Sequence, residues 1–378
     1  MTSRLARRRD MDPVTMIVIT GGPSAGKSTI LKMLPQILWD RAGFRAVTIR
    51  EAATEFHESG LTRGRGGLTS RAFQRHLFRH GLMVEDSLRL ASGDLPGKKL
   101  VICDRAAMDV AAYVGPRQFN ALRRELGQSI VDLRDRRYTG VIFLRSTAVD
   151  APQFYTQANN PARQESAAEA IAADARTLAA WTGHPHLRII DNSTDLAGKA
   201  ERAFQAICRV LGVPTPIEIE RKFLVREFDL TRLPRPSQAV EIVQHYLAIR
   251  GDGPRERIRC RSQSDSNVYY HTVKRGIRPG VRTEQEWQIS ATEYNRLLAK
   301  TDPQLAPIRK TRICFVWQNQ YFELDVFREP AGLVLLEIEL GHQDDWINLP
   351  TFLDGHLLEV TDNPTYSNVT IARKLASG

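Results

Sequence analysis

A glycine-rich segment near the start of the chain carries residue types that bind phosphate. Its residues 21–28 fit the pattern G-x-x-x-x-G-K-[ST], between an apolar run and a helical pattern. In that setting backbone N–H groups face phosphate oxygens, the lysine contacts the β- and γ-phosphates, and the serine binds Mg²⁺. A glycine-rich turn without function is the alternative. The predicted nucleotide-binding residues are Gly21, Gly22, Ser24, Ala25, Gly26, Lys27, Ser28 and Thr29, with Ser28 also a metal ligand.

Charged residues after other apolar runs are candidates to complete this site. Asp104 would hold the Mg²⁺ and act in catalysis, with Arg105 at the nucleotide; a helix N-cap is the alternative for Asp104. Glu51 is a candidate catalytic base, or else an exposed carboxylate at a helix start. Arg163 would close on the phosphates as a lid arginine, or stay in solvent like most arginines.

A second set of charged residues follows an alternating pattern. In residues 218–225, alternation places Glu218, Glu220 and Lys222 on one face and apolar residues on the other. Later groups that share a face are Arg257, Arg259 and Arg261; Thr272 and Lys274; Arg282, Glu284 and Glu286; Glu323 and Asp325; and Glu337 and Glu339.

Two arrangements explain these rows of charge. If they point into a closed sheet, carboxylates that suit Mg²⁺ or Mn²⁺ lie beside a cationic cradle for a chain of phosphates. The metal would then polarise the phosphoryl group and activate water. The alternative is an antiparallel sheet with one charged face in solvent.

The elements that must position the first site alternate between strands and helices. This alternation predicts an α/β domain with a parallel sheet and helical crossovers. The predicted strands are residues 16–20, 46–49, 100–103, 141–144 and 187–190. The predicted helices are residues 27–38, 72–91, 107–113, 119–134, 166–181 and 196–211.

The pattern changes at residues 212–216, where a glycine and two prolines follow a helix. Beyond them, short alternating runs separated by turn residues predict an antiparallel β domain. The predicted organisation is a basic tail at 1–13, a P-loop domain at 14–212, a linker at 213–216 and the β domain at 217–376.

Composition agrees with two globular domains. The chain has 378 residues, of which 42% are hydrophobic and 25% charged. The basic start lacks an apolar signal region, and the four separated cysteines form no C-x-x-C pair, so we expect a cytoplasmic protein with reduced thiols. Residues 1–216 hold 31 Lys and Arg against 21 Asp and Glu, whereas residues 217–378 hold 22 of each. The basic half suits an acidic partner such as RNA or a phosphoinositide, or simply a solvated basic face.

The first half resembles the P-loop domain of the NadR kinase-like family over residues 14–212. The resemblance implies a nucleoside- or nucleotide-kinase-like fold that uses ATP with Mg²⁺, and it leaves the phosphate acceptor and a role for GTP open. The residues that carry it are the segment 21–29, the segment 50–53, Asp104, Arg105, Asp109, Tyr113, Asn160 and the segment 163–165.

The second half resembles the CYTH, or triphosphate tunnel metalloenzyme, family over residues 217–376, beginning at Glu218-x-Glu220-x-Lys222. The resemblance implies an eight-stranded tunnel with flanking helices that acts on inorganic triphosphate, nucleoside triphosphates, thiamine triphosphate or RNA 5′-triphosphate. Some members are adenylate cyclases. The implied metal ligands are Glu218, Glu220, Glu286, Asp325, Glu337 and Glu339, with Glu284 competing with Glu286. The implied phosphate cradle is Lys222, Arg257, Arg259, Lys274, Arg312 and Lys374, with Arg373 competing with Lys374 and Lys222 also orienting water.

Together these patterns favour an enzyme with two sites. A metal-dependent triphosphatase in the second half would be joined to a P-loop NTPase or kinase-like domain. One alternative is a regulatory protein that binds GTP and phosphoinositides with little turnover. Another is an RNA 5′-end triphosphatase and kinase, although the chain has no basic motif with interleaved aromatic residues.

Overall fold

Parallel strands form the centre of the first domain. The computed structural model describes residues 14–155, 166–249, 253–264, 266–278 and 280–377. The strands of the first domain are β1 (Thr15–Gly21), β2 (Arg45–Ile49), β3 (Lys99–Asp104), β4 (Gly140–Leu144) and β5 (Leu187–Ile190). They lie in the order β2-β3-β1-β4-β5, and each contains the run predicted from the sequence.

Helices cover both faces of this sheet, as crossovers between parallel strands require. They are α1 (Lys27–Ala42), α2 (Ala52–Glu58), α3 (Ser70–Gly93), α4 (Val110–Glu125), α5 (Thr147–Asp150), α6 (Ala167–Trp181) and α7 (Leu196–Val210). Ile17 of β1 packs with Leu34 on one face, while Val18 packs with Trp181 on the other. Because its side chains alternate between two buried faces, β1 is apolar almost throughout.

The helix bounds near α4 differ from the prediction of two helices at 107–113 and 119–134. The structure has one helical stretch, Val110–Glu125, which is interrupted at Gly115 by a φ of 77°. A separate π-helical turn, Asp132–Arg136, follows it. The break at Gly115 explains why the sequence pattern divides there, since a left-handed residue cannot continue a helix.

An antiparallel barrel forms the second domain. Its strands are β6 (Ile217–Val225), β7 (Ser237–Tyr246), β8 (Arg255–Gln263), β9 (Ser266–Arg278), β10 (Val281–Ile289), β11 (Ile308–Trp317), β12 (Gln320–Phe327) and β13 (Val334–Glu339). Among the described residues, these eight strands close on themselves through the pairing of β10 with β6. Outside the barrel lie β14 (Leu357–Glu359), which pairs with β6, and the helices α8 (Ala291–Leu298) and α9 (Asn368–Ser377).

The rows of charge point into the barrel. Along β6, Glu218, Glu220 and Lys222 line the interior cavity. Phe223 and Val225 instead belong to an apolar cluster with side chains from the neighbouring strands and from Leu340 and Leu353. The barrel thus has a charged interior and an apolar exterior that later segments cover, so the alternative of a solvated charged face is wrong.

The two domains meet at one end of the barrel. This contact, which we call the seam, joins residues 131–136 and 181–188 of the first domain to that end. Its apolar part comprises Val131, Val268 and Tyr270. Hydrogen bonds across it run from Arg134 Nη2 to Gln263 Oε1 (2.7 Å), from Arg261 Nη2 to Gly183 O (2.7 Å) and from Gly183 N to Tyr321 OH (3.1 Å).

Of the helices in the described part of the chain, none has the length and apolar character needed to cross a membrane.

Candidate functional site

The loop between β1 and α1 has the tight conformation that a phosphate cradle needs. Gly21 has a φ of 146°, and a Cβ there would lie 1.9 Å from the carbonyl oxygen of Leu144. Gly26 has a φ of 82° and forms the N-cap of α1. A Cβ at Gly26 would lie 2.9 Å from Leu196 Cδ1. Both positions therefore require glycine, and the loop they shape leads directly into the N-terminus of α1.

The structure brings the predicted charged residues of the first site together. Lys27 Nζ donates to the carbonyl oxygens of Gly21 (3.3 Å) and Gly22 (3.1 Å). Arg105 Nε lies 2.6 Å from Glu51 Oε1. Lys27, Glu51, Asp104 and Arg105 all influence one another electrostatically, so they form one cluster at the ends of β1, β2 and β3.

Burial and neighbouring charges shift the pKa values in this cluster. Burial, together with Arg105, lowers the pKa of Lys27 to about 8. Burial and the charge of Glu51 raise the pKa of Asp104 to about 6. Burial would also raise the pKa of Glu51, but Arg105 and Lys27 outweigh it and lower that pKa. Asp104 is thus the carboxyl group of this cluster that titrates closest to neutral pH.

Asp104 also has a side-chain oxygen that a cation could satisfy. Its Oδ1 is buried and has no hydrogen-bond partner among the described residues. A buried oxygen without a partner is unfavourable unless a ligand satisfies it. The predicted ligand Ser28 lies exposed at the start of α1, beside Thr29. A carboxylate oxygen and a hydroxyl are donors of the kind that Mg²⁺ prefers.

Two buried aspartates support the first site: Asp174, which no sequence pattern indicates, and Asp109, which is one of the residues that carry the family resemblance. Asp174 of α6 is fully buried, and its Oδ1 accepts from the backbone N of Gly22 (3.2 Å) and of Ser146 (2.8 Å). Its Oδ2 lies 2.7 Å from Arg145 Nη1. Asp109 is also buried; it accepts from Thr20 Oγ1 and lies 3.8 Å from Arg105 Nη1. Asp174 is a single aspartate within α6, so no residue spacing in the sequence predicts its contact with the loop.

Arg163, the predicted lid arginine, lies outside the described residues, as do Asn160, Gln164 and Glu165.

The second site is a cavity of about 1100 Å³ inside the barrel and along the seam. Its walls hold most of the predicted residues. The carboxylates that line it on the barrel strands are Glu218, Glu220, Glu284, Glu286, Glu323, Glu337 and Glu339. The cations that line it within the barrel are Lys222, Arg255, Arg257, Arg259, Arg261, Lys274, Arg282, Lys310 and Arg312.

Opposite charges are paired around Lys222. Its Nζ lies 2.8 Å from Glu337 Oε1 and 3.2 Å from Glu220 Oε1. Burial would lower the pKa of Lys222, but Glu220 and Glu337 outweigh it and raise that pKa well above the usual range. The pKa of Glu337 is held far below its usual range, because Lys222, Lys310 and Arg312 outweigh its burial. Lys222 therefore remains a cation at neutral pH.

The same pairing extends along β9 and β10. Glu218 Oε2 lies 3.0 Å from Lys274 Nζ and 2.9 Å from Arg282 Nε. Burial and Glu284 raise the pKa of Glu218. Glu286 lies 2.7 Å from Arg259 Nη2. Although burial opposes it, Arg259 and neighbouring cations lower the pKa of Glu286 to about 2. Each of these carboxylates is thus paired with a cation inside the barrel.

Asp325 does not reach the cavity that the described residues enclose. It is fully buried, and Arg312 donates to both of its oxygens at 2.7 Å. Lys310 also donates to Asp325. The carboxylate orients these two cations and has no free oxygen to offer a metal. Lys310 is not among the residues predicted for this site, although it lies two residues before Arg312 on β11 and so shares a face of the strand with it.

Lys374 lies elsewhere. It is exposed on α9, as is its competitor Arg373, and neither belongs to the described walls of the cavity. The structure therefore does not support Lys374 as part of the phosphate cradle, because the apolar side of α9, with Ile371 and Ala372, is the side that packs on the barrel.

The carboxylates of the barrel do not form a ready metal cage. Within the described ranges, no three His, Cys, Asp or Glu side chains are grouped so as to hold a metal ion. Glu218, Glu220 and Glu337 instead contact ammonium and guanidinium groups. As a set of oxygen donors they fit a hard divalent cation, which would have to exchange with those cations.

Comparison with known proteins covers both domains. Residues 16–199 match a family model described as an AAA domain. The chain is similar to the crystal structure of the inorganic triphosphatase NE1496, with 31% sequence identity and a TM-score of 0.30. The matched region covers 41% of this chain and 94% of the triphosphatase chain. No curated protein matches the chain.

Two more distant structures are similar to one half each. A putative adenylyl cyclase from Hippeastrum with a dominant triphosphatase activity is 17% identical over 33% of this chain and 80% of its own, with a TM-score of 0.26. Thymidylate kinase from Candida albicans is 16% identical over 52% of this chain and 91% of its own, with a TM-score of 0.38.

Proposed function

We propose that this chain, an AAA-type P-loop domain joined to a tunnel domain of the CYTH family, hydrolyses triphosphates inside the tunnel. The observation that carries the proposal is the position of Lys222, whose Nζ contacts Glu220 and Glu337 within a charged interior. The similarity to an inorganic triphosphatase across almost its whole length supports the same substrate class. Inorganic triphosphate and nucleoside triphosphates both present the phosphoanhydride chain that such an interior suits.

The cationic side of the tunnel would hold the phosphates. Arg257, Arg259, Lys274 and Arg312 all line the cavity. Guanidinium groups bind phosphate oxygens through paired hydrogen bonds, and several of them are needed to offset the charge of three phosphates. These cations now face Glu284, Glu286, Glu323 and Glu337, so substrate binding exchanges carboxylate partners for phosphate partners.

A second group of carboxylates, which lies beside this cradle, would hold Mg²⁺ or Mn²⁺. Glu218, Glu220, Glu337 and Glu339 are the residues that would bind the ion. A divalent cation in such a site polarises the phosphoryl group and lowers the pKa of a bound water.

Lys222 would act on the attacking water without taking its proton. Because its pKa is raised, its ammonium group remains charged and can only donate hydrogen bonds. An ammonium group close to Glu220 and Glu337 can orient a water molecule towards the phosphate and stabilise the charge that develops there. Lys222 is therefore the catalytic cation of the proposed mechanism.

The first domain would bind ATP or GTP and transfer or hydrolyse its terminal phosphate. Lys27 at the loop would contact the phosphates, while Asp104 and Ser28 would hold Mg²⁺. The oxygen of Asp104 that lacks a partner among the described residues supports this assignment. Glu51 is held by Arg105 in the structure, so it could serve as a base only after that pair opens.

Phosphate release from purified protein tests the proposal. The substrates are tripolyphosphate, ATP and GTP, each with Mg²⁺, with Mn²⁺ and with EDTA. We expect rapid turnover of at least one triphosphate that requires a divalent metal. If none of them is hydrolysed while nucleotide still binds, the tunnel is not a triphosphatase and a regulatory binding protein becomes the better interpretation.

A further inference from the structure

The tunnel cavity does not end at the rim of the barrel. It continues along the first domain, where β5 and α7 form one of its walls. The charged residues of that wall are Arg188, Asp191, Arg202 and Arg209. Among the described first-domain residues at the cavity, arginines thus outnumber acidic residues by three to one.

One arginine of the barrel at this end has donor groups that no described residue accepts from. Arg261 is 1% exposed, shares a face of β8 with Arg257 and Arg259, and lines the cavity. Its Nη2 donates to the carbonyl oxygen of Gly183 across the seam. Its Nε and Nη1 are buried and have no hydrogen-bond partner within the described part of the chain. Buried donors of this kind call for acceptor oxygens from a ligand.

Arginines of the barrel and of the first domain lie near one another at the seam, with Glu339 paired to Arg188 between them. His186 lies within electrostatic range of Arg259 and Arg261 on the barrel side, and of Arg188 on its own side. Arg209 in turn lies within range of Arg188 and donates from Nη2 to the carbonyl oxygen of Gly341 (3.0 Å). A ligand that leaves the barrel at the seam therefore meets the guanidinium groups of Arg188 and Arg209, and it would replace Glu339 as the partner of Arg188.

The size of the cavity agrees with a ligand longer than three phosphates. Its volume of about 1100 Å³ is slightly above the range of about 300–1000 Å³ that small-molecule sites enclose. A triphosphate held by Arg257, Arg259, Lys274 and Arg312 would occupy the barrel and leave the seam end free.

We propose that the first domain completes an anion subsite at the seam, formed by Arg261 of the barrel with Arg188 and Arg209, which binds the fourth and later phosphates of a linear polyphosphate. This inference rests on the proposed triphosphate chemistry of the tunnel and names its substrate class more closely. The P-loop domain is then part of the substrate site of the tunnel, in addition to any nucleotide site of its own.

The test compares tripolyphosphate with tetrapolyphosphate. Binding of each is measured by calorimetry in EDTA, and KM by phosphate release with the active metal, for wild type and for Arg188→Gln with Arg209→Gln. We expect wild type to bind tetrapolyphosphate more tightly than tripolyphosphate. In the double variant the affinity for tetrapolyphosphate should fall about tenfold, and the affinity for tripolyphosphate less than about twofold, because only the longer chain reaches the two guanidiniums.

Two matched variants separate this effect from damage to the seam. Tyr321→Phe removes the hydrogen bond from Gly183 N across the seam without changing charge. Arg221→Gln removes an arginine that is paired with a glutamate, as Arg188 is, but its partner Glu359 lies outside the barrel. Both should leave the ratio of the two affinities unchanged.

Several results would overturn the inference. These are equal losses for both polyphosphates in the double variant, an unchanged ratio of affinities, or a wild type that binds the two equally. Failure of the triphosphatase proposal would look different, since hydrolysis would be missing with every metal while the binding ratio in EDTA would still report on the subsite.

Discussion

Arg188 of the P-loop domain and Glu339 of the tunnel form an ion pair across the seam, with 2.6 Å between Nη2 and Oε2. Glu339 is one of the carboxylates that the family resemblance assigns to the metal. Its partner comes from β5, the edge strand of the other domain. The cavity is therefore lined by both domains, and a substitution on the edge of the first sheet can remove the partner of a carboxylate that we propose as a metal ligand.

Removing the paired glutamates should abolish activity in the tunnel and spare the first domain. In Glu218→Gln with Glu220→Gln, the amides keep the size of the side chains but lose the charge that a divalent metal requires. Metal-dependent phosphate release from tripolyphosphate should fall at least about 1000-fold, while nucleotide binding measured by calorimetry should stay within about twofold. Glu359→Gln on the outer surface is the control. Retained hydrolysis in the double variant would show that these glutamates do not hold the metal.

The opposite pattern is expected for Lys27→Ala. Its ammonium group lies over the carbonyl oxygens of Gly21 and Gly22, where a nucleotide phosphate would replace them. We expect affinity for ATP and GTP to fall at least about tenfold, because a charge-assisted hydrogen bond is lost. Tripolyphosphate hydrolysis should remain. Lys32→Ala, further along α1, is the matched control, and equal loss of both activities in Lys27→Ala would contradict two independent sites.

Asp325 should prove structural. Arg312 donates to both of its oxygens and Lys310 also contacts it, with all three side chains buried. Asp325→Ala would leave buried Lys310 without its carboxylate and Arg312 with only Glu323 and Glu337, which lowers the free energy of unfolding by about 3–5 kcal/mol. Urea denaturation measures the change.

The exposed ion pair between Arg221 and Glu359 is the control for Asp325. Glu359→Gln should lower the free energy of unfolding by no more than about 1 kcal/mol. A similarly small loss in Asp325→Ala would mean that water or a metal replaces the aspartate in solution.

Much of the fold follows from local patterns. Each parallel strand is a short apolar run, and the alternation of Glu218, Glu220 and Lys222 correctly predicts a β-strand. What alternation cannot provide is the choice between the inside and the outside of a barrel. That choice depends on the apolar residues around Leu340 and Leu353, which cover the exterior from a distant part of the chain.

The candidate sites were predictable only where a motif carries the residues. The residues of the loop around Lys27 have the fixed spacing of a motif. Asp174, in contrast, contacts Gly22 from a helix that lies 152 residues later in the chain. The family resemblance predicts Lys374 in the phosphate cradle, but in the structure Lys374 is exposed to solvent on α9. The contribution of Arg188 depends on the docking of two domains, about which no local pattern gives information.

Asp104 should make the folded chain less stable as pH rises. Burial and Glu51 raise its pKa to about 6, above the value near 4 expected in the unfolded chain. The folded state therefore holds this proton more tightly; the resulting stability is fully present below about pH 4 and is lost as pH rises through about 6.

Asp104→Asn removes this titration at nearly constant size. In EDTA and without nucleotide, the variant should exceed wild type in free energy of unfolding by about 2–3 kcal/mol at pH 8, where Asp104 is ionised. At pH 4 the two should differ far less. Urea denaturation at the two pH values measures the change, with Asp86→Asn on the surface as the control. A difference between Asp104→Asn and wild type that does not change with pH would show that Asp104 does not carry the raised pKa.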